Sequence, residues 1–161
     1  MKTFSRNQLT QAVRFKNSDP DTECEILDVE RKLCVRFPEI YREILLIDGE
    51  AQMGPIRTAV DGDLHFGFLT MKRERFEYVS ATITSVHHRL QKSQGDMRRI
   101  IPFGAIGNGD HICFDYRSTS IPAIVLWSHE VAFSSFNPLS AVAQSFDELM
   151  EIALLSAAFK E

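Results

Sequence analysis

Apolar residues recur at three- and four-residue steps in four parts of this chain, a pattern that predicts four amphipathic helices. The first helix begins at the start signal Asp19-Pro20-Asp21, in which Asp19 is the cap residue and Pro20 the first helical position. The second runs from Pro38 to a capping glycine, Gly49. The third lies near the middle of the chain, and the fourth begins at Ser145, which forms a capping-box pattern with Glu148. The apolar positions of the four stripes are, in order, Ile26, Val29 and Leu33; Ile40, Ile44, Leu45 and Ile47; Phe76, Val79, Ile83, Val86 and Leu90; and Phe146, Leu149, Ile152 and Ala153.

Short runs of β-branched and aromatic residues lie between the helices and predict strands. The Asp61-Gly62-Asp63 turn indicates an early hairpin, and further turn residues separate the later runs, which favours antiparallel neighbours. One block of strands between helices indicates an α+β fold, with a mostly antiparallel sheet flanked by helices. Ile101, Phe114 and Trp127 are expected to be buried in it. The predicted strands cover residues 56–60, 64–69, 100–106, 111–116, 123–128 and, as an edge strand, 131–136.

The composition indicates one globular domain. The chain has 161 residues, of which 44% are hydrophobic and 25% are charged, as in ordinary soluble proteins. Residues 1–20 are interpreted as an N-terminal tail, frayed or loosely docked over residues 1–18, and residues 21–161 as the domain. No apolar run approaches the ~20 residues of a membrane span, and the N-terminus lacks the features of a signal peptide. Three cysteines without motif spacing favour a reduced, cytoplasmic protein.

The charge distribution argues against direct nucleic-acid binding. The formal net charge is −4, and residues 19–50 hold ten acidic side chains against four basic ones. Nucleic-acid binding needs clustered cations that contact phosphates, whereas an acidic segment attracts a basic protein. A solvated helix face is the simpler interpretation of the same charges. The sequence thus allows a basic protein partner and gives no indication of a membrane partner.

Candidate catalytic residues lie on one predicted strand. His111, Cys113 and Asp115 alternate, so their side chains share a face, but residues two apart on a strand lie about 6.5–7 Å from each other. A nucleophile and its base need hydrogen-bond contact, so this set alone cannot form a catalytic triad. A small enzyme that uses Asp110, Cys113 and Asp115 remains the alternative to a binding protein. No metal-ligand spacing or phosphate-binding loop is present, and no cofactor is expected.

An ordered set of short motifs spans about residues 22 to 155. The motifs are Phe37–Leu45, Asp48-Gly49-Glu50, Ile101–Gly104, Gly109–Asp115, Pro122–Glu130 and Ala143–Leu149. Together they resemble the SUKH superfamily, the Smi-one/Knr-four type of domain. The resemblance implies a mixed, mostly antiparallel sheet with flanking helices. It also implies a function in protein binding, since bacterial members are commonly immunity proteins that bind and neutralise a cognate toxin, often a nuclease, of a polymorphic toxin system, whereas fungal relatives are regulatory scaffolds.

The function predicted from these observations is protein binding without catalysis, most specifically toxin neutralisation, with a regulatory scaffold as the alternative. Carboxylates at helix ends and turns are expected to be exposed and mobile, and to steer a basic partner. The predicted partner-binding residues are Glu39, Asp48, Glu50, Asp61 and Asp63, with Asp110 and Glu130 added from the strand ends.

Overall fold

A computed structural model describes residues 2–58, 62–71, 82–93, 95–134 and 136–158. Within these ranges the chain forms five helices and seven strands, which confirms the α+β prediction. The helices are α1 (Arg6–Ala12), α2 (Glu23–Leu33), α3 (Glu39–Ile47), α4 (Ile83–Leu90) and α5 (Phe146–Ala158). The strands are β1 (Val13–Arg14), β2 (Gln52–Thr58), β3 (Gly62–Phe68), β4 (Ile100–Ala105), β5 (His111–Asp115), β6 (Ala123–Trp127) and β7 (Leu139–Ala143).

The seven strands form one sheet in chain order, and each strand is antiparallel to its neighbours. One row of paired residues crosses the sheet, and the β4–β5 and β6–β7 connections lie just beyond it. We call this side of the sheet the loop end. The β5–β6 turn lies at the opposite end. The row consists of Arg14, Gln52, Gly67, Ala105, His111, Trp127 and Leu139.

Aromatic side chains fill the core between the helices and the sheet. The Phe103 and Phe114 rings stack at 4.1 Å between centroids, and Tyr41 contacts both rings edge-on. Edge-to-face and offset contacts of this kind stabilise a core beyond the area that they bury. The predicted burial of Ile101, Phe114 and Trp127 is confirmed, since each is at most 4% exposed.

Local capping determines where the predicted helices begin and end. The prediction that α2 begins at Pro20 with Asp19 as its cap is wrong by three residues. Thr22 caps α2 in a capping box with Glu25, so this helix begins at Glu23. Ser145 caps α5, because its Oγ accepts the Glu148 N–H at 3.2 Å, as predicted. The prediction that Gly49 caps α3 is wrong. Asp48 follows the last helical residue in an extended conformation.

Two other predictions about the helices have different outcomes. The prediction that Ile47 belongs to the buried stripe of α3 is wrong, since Ile47 is 36% exposed at the end of the helix. The third predicted helix is confirmed only over α4. Its earlier apolar positions, Phe76 and Val79, lie outside the described residues.

The first residues of the chain are ordered, contrary to the prediction of a loosely docked tail over residues 1–18. Ser5 and Gln8 form a capping box that starts α1, and β1 pairs with β2. Leu9, Ala12 and Val13 are buried against the rest of the fold, in part through packing of α1 on α5. The hydrophobic effect therefore holds this segment against the sheet.

The predicted edge strand over residues 131–136 is also wrong. Both the N–H and the hydroxyl of Ser134 donate to the Val131 carbonyl, at 3.1 and 2.8 Å, so this segment turns. The turn buries Ala132 and leaves Phe133 exposed. The edge strand is β7, which begins after Pro138.

Candidate protein-binding surface

The carboxylates predicted to bind a partner occupy different parts of the fold. Asp110 and Glu130 lie at the loop end, beside the row that joins His111 to Trp127. Glu39 begins α3 and lines a groove with Ile121 of the β5–β6 turn, at the opposite end of the strands. The structure therefore brings Asp110 and Glu130 to the same end of the sheet and places Glu39 at the other end.

Asp48 is fully buried, so the prediction of an exposed, mobile carboxylate at this position is wrong. The Asp48 side chain accepts hydrogen bonds from the Lys16 N–H, the Ser18 hydroxyl and the Glu50 N–H. Burial alone would raise the pKa of Asp48, but these hydrogen bonds outweigh it and lower the pKa. Asp48 therefore ties the N-terminal segment to the α3–β2 connection and is unavailable to a partner.

The other carboxylates of the first half of the chain differ in exposure. Glu50 is half-buried beside Asp48 and is thus less exposed than predicted. Asp63 is exposed and lies 3.7 Å from Arg57 across the β2–β3 hairpin, and Glu39 forms an ion pair with Arg36 at 2.6 Å. Such exposed pairs contribute little to stability. Asp61 lies outside the described residues.

Asp110 joins the two connections at the loop end. Its carboxylate accepts the His129 backbone N–H at 3.0 Å and lies 2.7 Å from Nδ1 of the same histidine. Asn108 adds a further hydrogen bond at 2.9 Å. Burial alone would raise the pKa of Asp110, but the bonds from His129 and Asn108 outweigh it and lower the pKa. Asp110 is 9% exposed, so it fixes the loops in place and does not itself present a free charge.

Two phenylalanines on the β6–β7 connection project into solvent. Phe133 is 67% exposed and Phe136 is 71% exposed, and exposed Glu130 precedes them on the same connection. Large apolar side chains at a rigid, polar-rimmed site are typical of protein-binding surfaces. We define the loop surface as the exposed residues His129, Glu130, Phe133 and Phe136 together with Asn108.

The alternative catalytic set is not assembled in the structure. Cys113 is fully buried, and its Sγ contacts only the His111 carbonyl among the polar atoms of the described residues, at 3.7 Å. Burial raises the pKa of this thiol well above its ordinary value, which disfavours the nucleophilic thiolate. Asp115 pairs with Arg117 at 2.7 Å, whereas Asp110 bonds to His129. The three side chains therefore have separate partners.

The described part of the chain also holds no group of three or more His, Cys, Asp or Glu side chains that could bind a metal ion. Among the same residues, no helix is long and apolar enough to cross a membrane.

The sequence interpretation missed the exposed phenylalanines because it assigned their segment to a strand. A signal was nevertheless present. Ser134 and Asn137 punctuate the segment, and such residues form local turns through their side chains. Phe136 N–H donates to Ser134 Oγ at 3.2 Å, and Leu139 N–H donates to Asn137 Oδ1 at 3.1 Å, as that chemistry predicts.

Comparison with known proteins relates this chain to one family. Residues 20–152 match the SMI1/KNR4 family (SUKH-1). A crystal structure of a protein from Pseudomonas syringae pv. tomato is 18% identical in sequence, with a TM-score of 0.46 over 76% of this chain and 80% of that chain. No curated protein sequence matches this chain. The family match covers most of the sequence, and the chain belongs to the SMI1/KNR4 (SUKH-1) family.

Proposed function

We propose that this protein is an immunity protein, which binds a cognate toxin of a polymorphic toxin system and neutralises it. The observation that carries the proposal is the loop surface, where Phe133 and Phe136 project beside Glu130 from connections that Asp110 holds together. Membership of a family that includes immunity proteins supports the same function. A basic toxin such as a nuclease is the partner class that fits the charge of this chain.

The two phenylalanines are the expected affinity anchors. A buried aromatic side chain covers about 150–250 Å². Since Phe133 and Phe136 are about two-thirds exposed, covering either of them buries on the order of 100 Å² or more, which stabilises a complex by about 2–3 kcal/mol. Aromatic residues that a partner covers in this way commonly dominate the binding energy.

Exposed carboxylates are expected to act on the association rate. Glu130 lies on the loop surface itself, whereas Glu39 and Asp63 lie elsewhere and each has an arginine beside it that offsets its charge. An exposed carboxylate attracts a basic partner over a distance of about 10 Å at moderate salt. Half-buried Glu50 adds to the negative potential of the protein. Neutralising Glu130 should therefore slow association and weaken its salt dependence, with little effect on stability.

The test is to capture the partner from the native cell and then to express it in a host with or without this chain. The partner alone should arrest growth, and the wild-type protein should restore it. A double variant with Phe133→Ser and Phe136→Ser should lose protection, because both affinity anchors are removed. Leu155→Ser is the matched control, since Leu155 is 62% exposed on α5, outside the loop surface.

The outcomes separate the possible functions. Full protection by the double serine variant would show that the loop surface is not the binding site. A captured partner that is harmless alone would contradict the immunity function and favour a regulatory scaffold.

A further inference from the structure

The outer edge of β7 is open to a further strand. Among the described residues, β7 pairs only with β6, so its other edge has no partner strand. Ser128 N–H donates to the Pro138 carbonyl at 2.9 Å, and Ser140 lies opposite Leu126. The backbone groups of the alternate residues Pro138 and Ser140 therefore face β6. Ala141 is the next residue after Ser140, so its backbone groups point away from β6. Ala141 is also exposed.

The two edges of the sheet are protected to different degrees. Sheet proteins commonly prevent unwanted pairing by short or charged edge strands. The β1 edge has only two residues, one of which is the exposed Arg14. In contrast, β7 has five residues and lies within residues 131–146, a stretch without any Asp, Glu, Lys, Arg or His. The β7 edge therefore lacks charged side chains, although the β6–β7 pairing shifts register between Ile124 and Val125.

Carboxylates flank this uncharged edge at both ends. Glu130 is exposed at the loop end, before β7. Asp147 and Glu148 lie half-buried in the first turn of α5, just after β7, where they accept hydrogen bonds from the Lys2 and Gln144 N–H groups. Two copies of this chain paired antiparallel through β7 would bring the acidic end of each strand toward the acidic end of the other. Like charges oppose that arrangement, whereas a strand with cationic ends would be attracted.

We propose that β7 accepts an extended segment of the basic partner as an eighth strand of the sheet. This inference rests on the proposed function, because it specifies how the toxin is bound. The segment has about five small or apolar residues, to match β7, and Lys or Arg at each end, to meet the flanking carboxylates. Backbone hydrogen bonds to β7 provide pairing, and Phe133 and Phe136 contact the partner beside it.

The test uses a labelled peptide in which pairs of lysines flank the segment Val-Thr-Val-Thr-Val, with fluorescence anisotropy as the readout. Two N-methylated versions carry methyl groups on alternate backbone nitrogens of that segment. Only the N–H groups along one edge of an added strand can donate to β7. One version should therefore lose binding, and the other should keep it. Replacing the lysines by glutamates should also abolish binding.

A variant of the protein tests the same contact from the other side. Ala141→Lys places a charge on the edge, and it should weaken peptide binding by about tenfold or more. Leu155→Lys is the control, because it makes the same change in net charge at an exposed position on α5. Unchanged unfolding midpoints of both variants would show that the fold is retained.

Each contrary result has a distinct meaning. No binding of the unmodified peptide, or equal binding of the two N-methylated versions, would overturn strand addition. A dimer in sedimentation equilibrium that Ala141→Lys dissociates would identify a second copy as the occupant of the edge and would also overturn it. Full protection by Ala141→Lys, combined with lost protection in the double serine variant, would refute strand addition and leave the immunity function standing.

Discussion

Acidification is expected to destabilise the fold through one buried histidine. His111 is 5% exposed, its ring packs 5.7 Å from the Trp127 ring, and its Nδ1 has no hydrogen-bond partner among the described residues. Burial, together with the positive charge of Arg89, lowers the pKa of His111 from 6.5 to about 4. The native state therefore binds the proton more weakly than the unfolded chain does.

The direction and size of the effect follow from that difference. Between pH 6.5 and about pH 4 the unfolded chain carries more protons at this site, so the free energy of unfolding decreases as the pH falls through this range. Each pKa unit corresponds to about 1.4 kcal/mol, so the full loss is about 3 kcal/mol. Between pH 7 and pH 5 the expected loss from His111 is about 2 kcal/mol.

The assay is urea unfolding at pH 7 and pH 5, followed by the fluorescence of Trp127, the only tryptophan in the chain. His111→Gln removes the titrating group, so its stability should fall by about 2 kcal/mol less than that of the wild type over this interval. The control variant His88→Gln, at an exposed position, should behave as the wild type does. The same loss in wild type and His111→Gln would refute the assignment.

Two further predictions concern stability and can be measured by urea unfolding at pH 7. Ser145→Ala should lower the free energy of unfolding by about 1 kcal/mol because α5 loses its N-cap, whereas Ser120→Ala in an exposed turn should have little effect. A neutral Ser145→Ala would contradict this capping role. Arg42→Met should lower the free energy of unfolding by about 3–5 kcal/mol. Glu30, which Arg42 contacts at 3.0 and 3.1 Å, would remain buried with the Phe37 N–H as a hydrogen-bond donor but without its cationic partner. Adding Glu30→Gln should recover part of that loss, and no recovery would refute the pairing argument.

Apolar runs and turn residues were sufficient to predict the strands that carry the site. β4, β5 and β6 are continuous apolar runs separated by turn residues, so their existence and order follow from local pattern. Their antiparallel pairing follows from the short connections. The cap at Ser145 was equally predictable, because a capping box involves residues only three apart.

The environment of the carboxylates was not predictable in the same way. Asp48 is buried because Lys16 and Ser18, some thirty positions earlier in the chain, donate hydrogen bonds to it. Asp110 is held by His129, which lies on a different connection. Such long-range contacts leave no local signal, so a turn aspartate that is buried and one that is exposed look the same in the sequence.

The N-terminal segment and the β6–β7 connection were misassigned for a different reason. α1 has only seven residues, with Leu9 and Ala12 as its buried positions, which is too short for a clear apolar stripe. In the β6–β7 connection, Val131 and Phe133 favour a strand, but the hydrogen bonds of Ser134 close a turn instead. Local side-chain hydrogen bonds outweigh β propensity at that position.

The central claim is that this protein binds a protein partner through the loop surface. Hydrogen–deuterium exchange of the protein, with and without the captured partner, tests it most directly. The account predicts slower exchange on binding in residues 107–110 and 129–143, which contain the loop surface and β7. Protection confined to the groove between α3 and the β5–β6 turn, at residues 36–39 and 120–122, would contradict it.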